Sequence, residues 1–575
     1  MKKIILIIAV LNLTLSSCED FLTVNPQDAT GADSYYVSEE SLRANTASLY
    51  GFPWFDFHQA LMWVAGDALA GDIYYTYDAG GQFYYNQVGA GNSFNGTGWE
   101  GLFRVVSYAN SIINDMPSMA NRNGIPENAI NVALGEARFI RAVAYFFLTE
   151  LWGEVPIIEN STALITSGNP QDIYVNKHTK SSIYRFICED LEFAENHLPD
   201  KAFQPGRVTK WSAKGMLAKA YLTRAAYETS TKYYATAKTY AEDVIKNSGL
   251  TLWPDYTTLF DVEANNNSES LFAIQCMTGG YALGNARTVY WSRSSRIADD
   301  SWGGGVGPTL SLQSIYEDEK NNSRRKTVFM TQGDYYPNLN KANGGYTYQL
   351  TYRDPNNLDV TVENSNEVLA NLKKYTIGKA ADNGGKVGLN QDAGNNLYVL
   401  RLADVYMIYA EACIGTANFT NDATALGYIN DVRRRSGIVD FPGSTITYEE
   451  LLIERRKEFA CEAINWYDIK RLYYKDHQAA FNYLANMKRD QIYRIDSTTD
   501  YWEDSTPTDR KYEIENDRKS YILSWQTVVA PDDPTSDRVN NIDFNDTSMF
   551  LQLPASVTTT APVLNEPAVD YYANN

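Results

Sequence analysis

The sequence predicts a mainly α fold of stacked helical hairpins with one irregular, loop-rich and partly β insertion. Apolar residues recur at helical spacing through segments 38–249 and 397–490, which form the predicted helical scaffold. Between them, at 250–396, glycine, asparagine and proline become frequent and the helical period is lost. The helical pairs, of about 35–40 residues each, are similar to tetratricopeptide (TPR) hairpins, although the strict repeat signature is absent. Hydrophobic content of 44% and charged content of 21% are typical of a globular chain.

The clearest helical stretch is 398–471, where three amphipathic helices follow one another. Asn421 or Asp422 can cap the second helix, and Thr447 with Glu450 forms a capping box for the third. The third helix is expected to run without a break through Trp466, with apolar residues on most of its circumference. Because lone buried charges are costly, its charged residues are expected to pair with each other. They are Arg455, Arg456, Glu458 and Glu462.

Further elements follow from local patterns. Helices are predicted at 57–70, from Trp99 to an end at Pro117, and at 310–320. Within the insertion, the run SLFAIQCM is predicted as a strand, and 288–309 and 344–354 as further extended segments. Residues 491–575 are predicted to be an irregular C-terminal region packed on the scaffold. The insertion is the expected place for a variable binding face, since loops on a rigid scaffold often carry function.

The N-terminus has the pattern of a bacterial lipoprotein signal. Lys2 and Lys3 precede an apolar stretch at 4–15, and small residues lead to Cys18. Segment 1–17 is therefore predicted to be a signal peptide, Cys18 the lipid attachment site, and 18–37 a tether. An ordinary secretory signal beside a free cysteine is the alternative. No other segment is apolar and long enough to span a membrane, so the expected attachment is by lipid alone.

Charge and residue usage exclude several functions. A net charge of −20 repels the phosphate backbone of nucleic acid, which is therefore not an expected partner. The same charge disfavours polyanionic ligands, unless a local basic patch offsets it. The four histidines are scattered without metal-ligand spacing, and no nucleophile or phosphate-loop motif is complete. We therefore expect no enzyme activity, no catalytic residue, no metal site and no cofactor. Structural calcium stays open at the Asn- and Asp-rich runs near Asp354 and Asp543, which lack EF-hand spacing.

Aromatic residues are the strongest functional signal. The chain has 42 tyrosines, and the glycine-broken loop at 74–94 concentrates them. Tyrosine and tryptophan rings can stack on the apolar face of a sugar while neighbouring polar groups bind its hydroxyls. Packing of the same loop on the scaffold is the structural alternative. The candidate ligand-binding residues of this loop and of the insertion are Asp67, Asp72, Tyr74, Tyr75, Tyr77, Tyr84, Tyr85, Asn86, Tyr290, Trp291 and Trp302.

Several helical segments together resemble the SusD/RagB family of outer-membrane lipoproteins. The run YVLRLADVYMIYAEA begins the series, and the matching segments, in order, are 398–412, 425–437 and 454–471. Two earlier segments, at 137–158 and 206–227, resemble further family signatures, and the resemblance covers nearly the whole chain. It supports the aromatic loop, because this family typically places ligand-binding aromatics before the helix that begins here at Trp99.

The resemblance implies a cell-surface lipoprotein that captures an oligosaccharide and delivers it to a SusC-like TonB-dependent transporter, over which it acts as a lid. It implies an outer-membrane location, a membrane contact through lipid only, and binding without bond cleavage. Two alternatives stay open at this level. A RagB-like member would bind peptides, and a surface glycoside hydrolase would cleave the glycan with paired carboxylates.

Overall fold

We describe a computed structural model of the chain. The residues that it describes are 35–75, 77–169, 173–292, 297–299, 301, 306–319, 321–331, 334–348, 353–354, 357–361, 370–387, 391–487, 489 and 541–573. Cys18, Trp302 and the predicted signal peptide lie outside these residues, as do residues 18–34 of the predicted tether.

Helices dominate the described chain. The principal ones, in chain order, are α1 (Glu39–Ala47), α2 (Ser93–Arg122), α3 (Glu127–Trp152), α4 (Lys180–His197), α5 (Lys210–Tyr227), α6 (Thr231–Asn247), α7 (Leu402–Ile414), α8 (Ala423–Arg435), α9 (Tyr448–Phe459), α10 (Asn465–Lys475) and α11 (His477–Ala485). None of the described helices is long and apolar enough to cross a membrane.

Successive helices pack on one another and form the predicted stack. From α2 to α8 each helix contacts the next one along the chain, including α6 and α7, which the whole insertion separates in sequence. Their apolar faces join one continuous core that runs from Tyr36 to Leu551. Local signals set several helix ends: Ser38 caps α1, Asp422 caps α8, and Thr447 with Glu450 forms the capping box of α9. The prediction of a mainly α fold of stacked hairpins is confirmed.

The predicted third helix of segment 398–471 is in fact two helices. The helix is interrupted between α9 and α10, where both Cys461 (φ 65°) and Ala463 (φ 61°) adopt left-handed backbone conformations. The backbone N–H of Ala463 donates to both carboxylate oxygens of Asp67, each at 3.1 Å. A Cβ on Gly66 would lie only 2.5 Å from the Cα of Ala463. Two packed segments therefore meet at this turn, and that contact overrides the local helical period.

The charged residues of this region do pair, but with partners on other elements. Arg455 binds Asp404 of α7 at 2.8 Å and Asp468 of α10 at 2.8 Å. Glu458 and Glu462 both bind Arg401, each at 2.8 Å. The expectation that the residues of the third helix pair with each other is therefore wrong, although none of these charges is left alone. The pairs join α9 to its neighbours instead of stabilising one helix.

The insertion contains short strands that attach it to the scaffold. Strand β2 (Ser270–Ile274) confirms the SLFAIQCM prediction and pairs antiparallel with β4 (Leu397–Arg401), which directly precedes α7. Strand β1 (Ile73–Tyr75) pairs antiparallel with β3 (Val306–Pro308). Shorter antiparallel pairs join Phe329–Met330 to Asn371–Leu372, Tyr335–Tyr336 to Tyr346–Thr347, Arg353–Asp354 to Asn357–Thr361, and Phe419–Thr420 to Ile446–Thr447.

Four other local predictions are corrected. Helix α2 continues past Pro117 to Arg122. The predicted helix at 57–70 is broken into Phe55–His58, Leu61–Trp63 and a π-helical turn at Val64–Ala68. Segment 288–309, predicted as extended, does contain β3 but begins with a short helix, Arg287–Trp291. The helix predicted at 310–320 is split into Leu310–Ser314 and a 3₁₀ turn at Glu317–Glu319. In each case packing against neighbouring segments outweighs weak local preferences.

Candidate ligand-binding surface

Trp63 forms the base on which an aromatic surface is built. Its indole is fully buried, and the indole N–H donates to the Gln59 carbonyl at 2.9 Å. The rings of Tyr75 and Tyr290 lie over it, with centroids 5.3 Å and 5.7 Å from that of Trp63. On a further side the Trp291 ring packs edge-on at 6.1 Å. Such tilted and edge-to-face contacts favour fixed ring positions.

Strand β1 brings the predicted loop to this base. Side chains of a strand alternate between its two faces, so Tyr74 and Tyr75 point in opposite directions. Tyr75 joins Trp63, and the ring of Tyr77 lies 6.2 Å from that of Tyr75. Tyr77 is 60% exposed, whereas Tyr75 is buried beneath it. The loop therefore presents one open ring supported by a covered one.

The insertion contributes the other half of the surface. Tyr290 is half-buried on the helix Arg287–Trp291, and Tyr281 is 62% exposed with its ring 4.9 Å from that of Phe55. Burial raises the pKa of Tyr290, and nearby Tyr281 and Asp78 raise it further. We call the group formed by Tyr75, Tyr77, Tyr281 and Tyr290 the tyrosine surface.

The surface has neutral rings and an acidic edge. Burial raises the pKa of Tyr75, and Asp78, Tyr290 and Tyr77 add to this effect, so its phenol stays protonated at neutral pH. Asp78 itself is exposed and has a φ of 49°. Gly80 follows closely, and a Cβ there would lie 2.0 Å from the Tyr75 ring. Glycine is therefore needed for the chain to pass beneath this ring.

Three predicted tyrosines form a separate cluster away from the tyrosine surface. Tyr74 and Tyr84 are buried together, and Tyr85 packs against them with its ring 5.0 Å from that of Tyr84. The Tyr84 hydroxyl donates to the carbonyl of Arg489. Asn86, with a φ of 52°, is half-buried at the end of this turn. One part of the predicted loop, with Tyr75 and Tyr77, thus belongs to the tyrosine surface, and the other part, with Tyr74 and Tyr84, packs on the scaffold.

The predicted acidic neighbours belong to the interior. Asp67 is fully buried against the turn between α9 and α10, and burial raises its pKa well above the usual range, with Asp72 adding to the effect. Asp72 is also buried; it accepts from Arg456 at 2.6 Å and from the Asn465 amide at 2.9 Å. Neither carboxylate has surface left for a ligand, and the same holds for the ring of Trp291.

Two residues of this site, Tyr281 and Trp63, are not among the residues predicted from the sequence. Tyr281 follows Gly279 and Gly280 in the insertion, and a tyrosine after a glycine pair in a turn is a signal that could have marked it. Trp63 lies in an apolar segment whose pattern predicts only a residue of the hydrophobic core. Its role as the base of the surface depends on the contact between β1 and the insertion, which local patterns do not show.

Metal and thiol chemistry have little support in the described part of the chain. No group of three or more histidine, cysteine or acidic residues there could hold a metal ion. Cys188, Cys276, Cys413 and Cys461 are free thiols, and all except Cys413 are buried. Burial raises the pKa of Cys188 and of Cys276 to about 12, which keeps both thiols protonated and unreactive.

The chain is similar to known proteins over its whole length. A model of the SusD family matches residues 268–566, and a model described as "Starch-binding associating with outer membrane" matches 64–222. A SusD-like protein of Bacteroides ovatus is 33% identical over 583 aligned residues, which cover 100% of this chain and 99% of that protein. The chain belongs to the SusD family.

Solved structures agree with this assignment. One, described as a complex with xylogluco-oligosaccharide, is 31% identical and superposes with a TM-score of 0.77 over 93% of this chain and 100% of that one. A SusD superfamily protein from Bacteroides vulgatus, at 18% identity, has a TM-score of 0.62 over 92% of this chain and 98% of its own, and shows the shared fold.

Proposed function

We propose that this protein binds an oligosaccharide on the tyrosine surface without cleaving it, and passes it to a SusC-like TonB-dependent transporter as a lid on that transporter. The observation that carries the proposal is the pair of open rings, Tyr77 and Tyr281. Tyr77 lies beside Tyr75 and Tyr281 lies near Tyr290, and Trp63 supports the rings of Tyr75 and Tyr290. The relative described with a bound xylogluco-oligosaccharide supports a neutral glycan as ligand.

The chemistry of the surface suits a neutral sugar. Phenol rings present a flat apolar face to the C–H groups of a pyranose, and a protonated phenol can donate to a sugar hydroxyl. The exposed carboxylate of Asp78 at the edge can accept from further hydroxyls. Since Trp63 and the strand pair β1–β3 already hold the rings, binding orders few side chains and loses little entropy.

Binding without cleavage is favoured by the position of the acidic groups. Glycoside hydrolysis uses two carboxyl groups about 5–9.5 Å apart on either side of the scissile bond. The two carboxylates predicted beside the loop, Asp67 and Asp72, are buried and already occupied by the Ala463 N–H and by Arg456. We therefore infer a binding protein and not a hydrolase.

Attachment to the outer membrane through lipid on Cys18 completes the proposal. The sequence around Cys18 supports it, as does the description of the matching family model as associating with the outer membrane. Buried acyl chains contribute roughly 0.8 kcal/mol per methylene, so two or three chains would hold the protein at the membrane almost permanently. The hairpin stack would then face the transporter.

Calorimetry with xylogluco-oligosaccharides tests the binding site. The double variant Tyr77→Ala/Tyr281→Ala should lose measurable binding, while Phe419→Ala, which removes a ring that is 55% exposed on the scaffold, should bind like the wild type. Release of reducing ends during incubation would instead indicate a hydrolase. Unchanged binding in the double variant would reject the tyrosine surface, and binding of peptides but of no glycan would favour the RagB-like alternative.

Cellular fractionation tests the anchor. The wild-type protein should incorporate labelled palmitate and partition with outer-membrane vesicles, and Cys18→Ser should do neither. An unlabelled wild-type protein in the soluble fraction would contradict lipid anchoring. Co-purification of the wild type with a SusC-like transporter from detergent extracts is the matching test of the partner, and its absence under conditions that preserve the transporter would contradict the lid.

A further inference from the structure

A cavity of about 510 Å³ opens on the helical scaffold and shares no residue with the tyrosine surface. It lies where the C-terminal end of α3, the N-terminal end of α4 and the C-terminal end of α5 meet α10 and the segment 541–573. Its volume falls within the range of about 300–1,000 Å³ that is typical of small-molecule sites. Aromatic rings form most of its walls, among them Trp152, Tyr227, Tyr474 and Phe550.

Lys180 lines this cavity, and its ammonium group is surrounded by aromatic rings. Its side chain is buried, yet no carboxylate of the described chain lies within 4.0 Å of its ammonium group. The ammonium instead lies over three rings, 3.9 Å from the centroid of Tyr474, 4.6 Å from that of Tyr227 and 4.9 Å from that of Phe550. Its hydrogen bond among the described residues goes to the Tyr474 hydroxyl. Because an ammonium group carries three donors, it has capacity for an additional acceptor.

Glu150 and Glu154 are the acidic groups that act on Lys180, and Glu150 is engaged by two tyrosines. One carboxylate oxygen of Glu150 accepts from the hydroxyls of both Tyr184 and Tyr474, the latter at 3.0 Å. Tyr474 therefore stands between Lys180 and this carboxylate. Burial lowers the pKa of Lys180 to about 8, and Glu150 and Glu154 counteract the effect, so the group is mostly protonated at neutral pH.

A second lysine at the cavity wall, Lys177, offsets the carboxylate of Glu154, which also lines the cavity. Lys177 lines it and lies 3.9 Å from Glu154, a long and weak ion pair. Behind the wall, the amine of Lys470 donates to the Met549 carbonyl at 2.7 Å and lies against the Phe550 ring, and burial together with nearby Lys180 lowers its pKa well below the usual range. A small anion entering here would meet Lys177 and Lys180, with the Glu154 carboxylate on the wall and that of Glu150 behind Tyr474. The net charge of the chain, −20, repels large polyanions.

We propose that this cavity binds a small carboxylate of sugar-acid size, with the carboxylate on the Lys180 ammonium and the remainder of the ligand against the rings of Tyr227, Trp152 and Phe550. A charge-assisted hydrogen bond to a buried ammonium is stronger than a neutral one, and the aromatic walls suit a ring with apolar C–H faces. A hexuronate has both features. The carboxylate of a short acyl amino acid shares only the first.

The test uses the full-length protein carrying Tyr77→Ala/Tyr281→Ala, so that the tyrosine surface does not contribute. Calorimetric titration with glucuronate should show binding, and glucose, its neutral counterpart, should not bind. Lys180→Gln, which keeps a hydrogen-bond donor but removes the charge, should weaken glucuronate binding by about tenfold or more. Lys246→Gln, a change of the same type on the exposed side of α6, should leave it unchanged.

N-acetyl-alanine separates the two ligand classes. Binding of glucuronate alone supports a sugar-acid site, and binding of both probes supports a general carboxylate site. Equal glucuronate affinity in the Tyr77→Ala/Tyr281→Ala protein with and without Lys180→Gln, or binding of neither probe, would overturn the proposal. If circular dichroism shows that Lys180→Gln does not fold, Tyr227→Ala takes its place, because that ring is 37% exposed at the cavity wall and its removal should also weaken binding.

Discussion

The ion network beside α9 and the tyrosine surface place polar and apolar groups in opposite ways. In the network, the charged side chains of Arg401, Glu269, Glu458, Glu462 and Lys374 are all buried and joined by ion pairs of 2.7–2.8 Å. On the tyrosine surface, the large rings of Tyr77 and Tyr281 are open to solvent. Charges lie inside and aromatic rings outside, the reverse of the usual distribution.

The difference shows what each region is for. A buried charge is tolerated only where partners are fixed around it, so the network specifies how α9, β4 and the insertion meet. An exposed ring contributes little to folding, and its free face can bind a ligand. We therefore expect changes in the network to affect stability first, and changes on the tyrosine surface to affect binding first.

The strongest test of this contrast is Glu458→Ala. Glu458 binds Arg401 at 2.8 Å and also pairs with Arg435, so its removal leaves two buried guanidinium groups short of a partner. Breaking a buried pair in this way costs about 3–5 kcal/mol, which should appear as a large drop in the urea midpoint. Asp440→Ala, which removes the exposed partner of Arg434, should leave the midpoint unchanged. Equal midpoints for both variants would show that the network is dispensable.

Acid should weaken the network and leave the rings unaffected. Burial alone would raise the pKa of Glu458, but Arg435, Arg401 and Arg324 together outweigh it and hold the pKa at about 2, below the unfolded value of 4.5. The stabilisation is therefore complete above pH 4.5 and is lost as the pH falls from 4.5 towards 2. It amounts to roughly 3 kcal/mol.

Urea unfolding at several pH values across this window measures the effect. Glu458→Gln should show a shallower decline in stability than the wild type over the same range, because the group that titrates has been removed. A decline of the same slope in both proteins would assign the acid sensitivity to other carboxyl groups.

Gly80→Ala should lower both stability and glycan binding, with a smaller loss of stability than Glu458→Ala. The added Cβ would lie 2.0 Å from the ring of Tyr75, so this ring must move off Trp63. Overpacking of this kind costs about 1–3 kcal/mol, and the displaced ring should also weaken glycan binding. Gly89→Ala is the matched control in the same loop, since nothing lies within 4 Å of its added Cβ. Normal binding by Gly80→Ala would show that the position of Tyr75 is not critical.

The smallest change concerns one hydroxyl. Tyr77→Phe keeps the open ring and removes only its donor, so glycan affinity should fall by no more than about 1 kcal/mol, or roughly fivefold. Unfolding should not change, because the side chain is 60% exposed. Calorimetric titration of Tyr77→Phe and Tyr77→Ala with the same glycan separates the contribution of the hydroxyl from that of ring stacking. An equal loss in both variants would mean that the hydroxyl, and not ring stacking, provides the affinity.

Much of the fold follows from the sequence because helix signals are local. The caps at Ser38, Asp422 and Thr447 and the apolar periods of the scaffold lie within a few residues of each other, and the structure contains them. Three of the four residues of the tyrosine surface also follow, since Tyr75, Tyr77 and Tyr290 are predicted as ligand-binding residues and do come together. Composition alone could not separate these residues from Tyr74 and Tyr84, which pack inward.

By itself, the sequence determined the helical class, the family signatures and the concentration of tyrosines in one loop, because each of these is a pattern along the chain. Only the tertiary structure decided the break at Cys461–Ala463, the partners of the buried charges, and which rings remain open beside Tyr281. The physical reason is that burial and ion pairing depend on segments hundreds of residues apart, such as Asp67 and Ala463, which no local pattern connects.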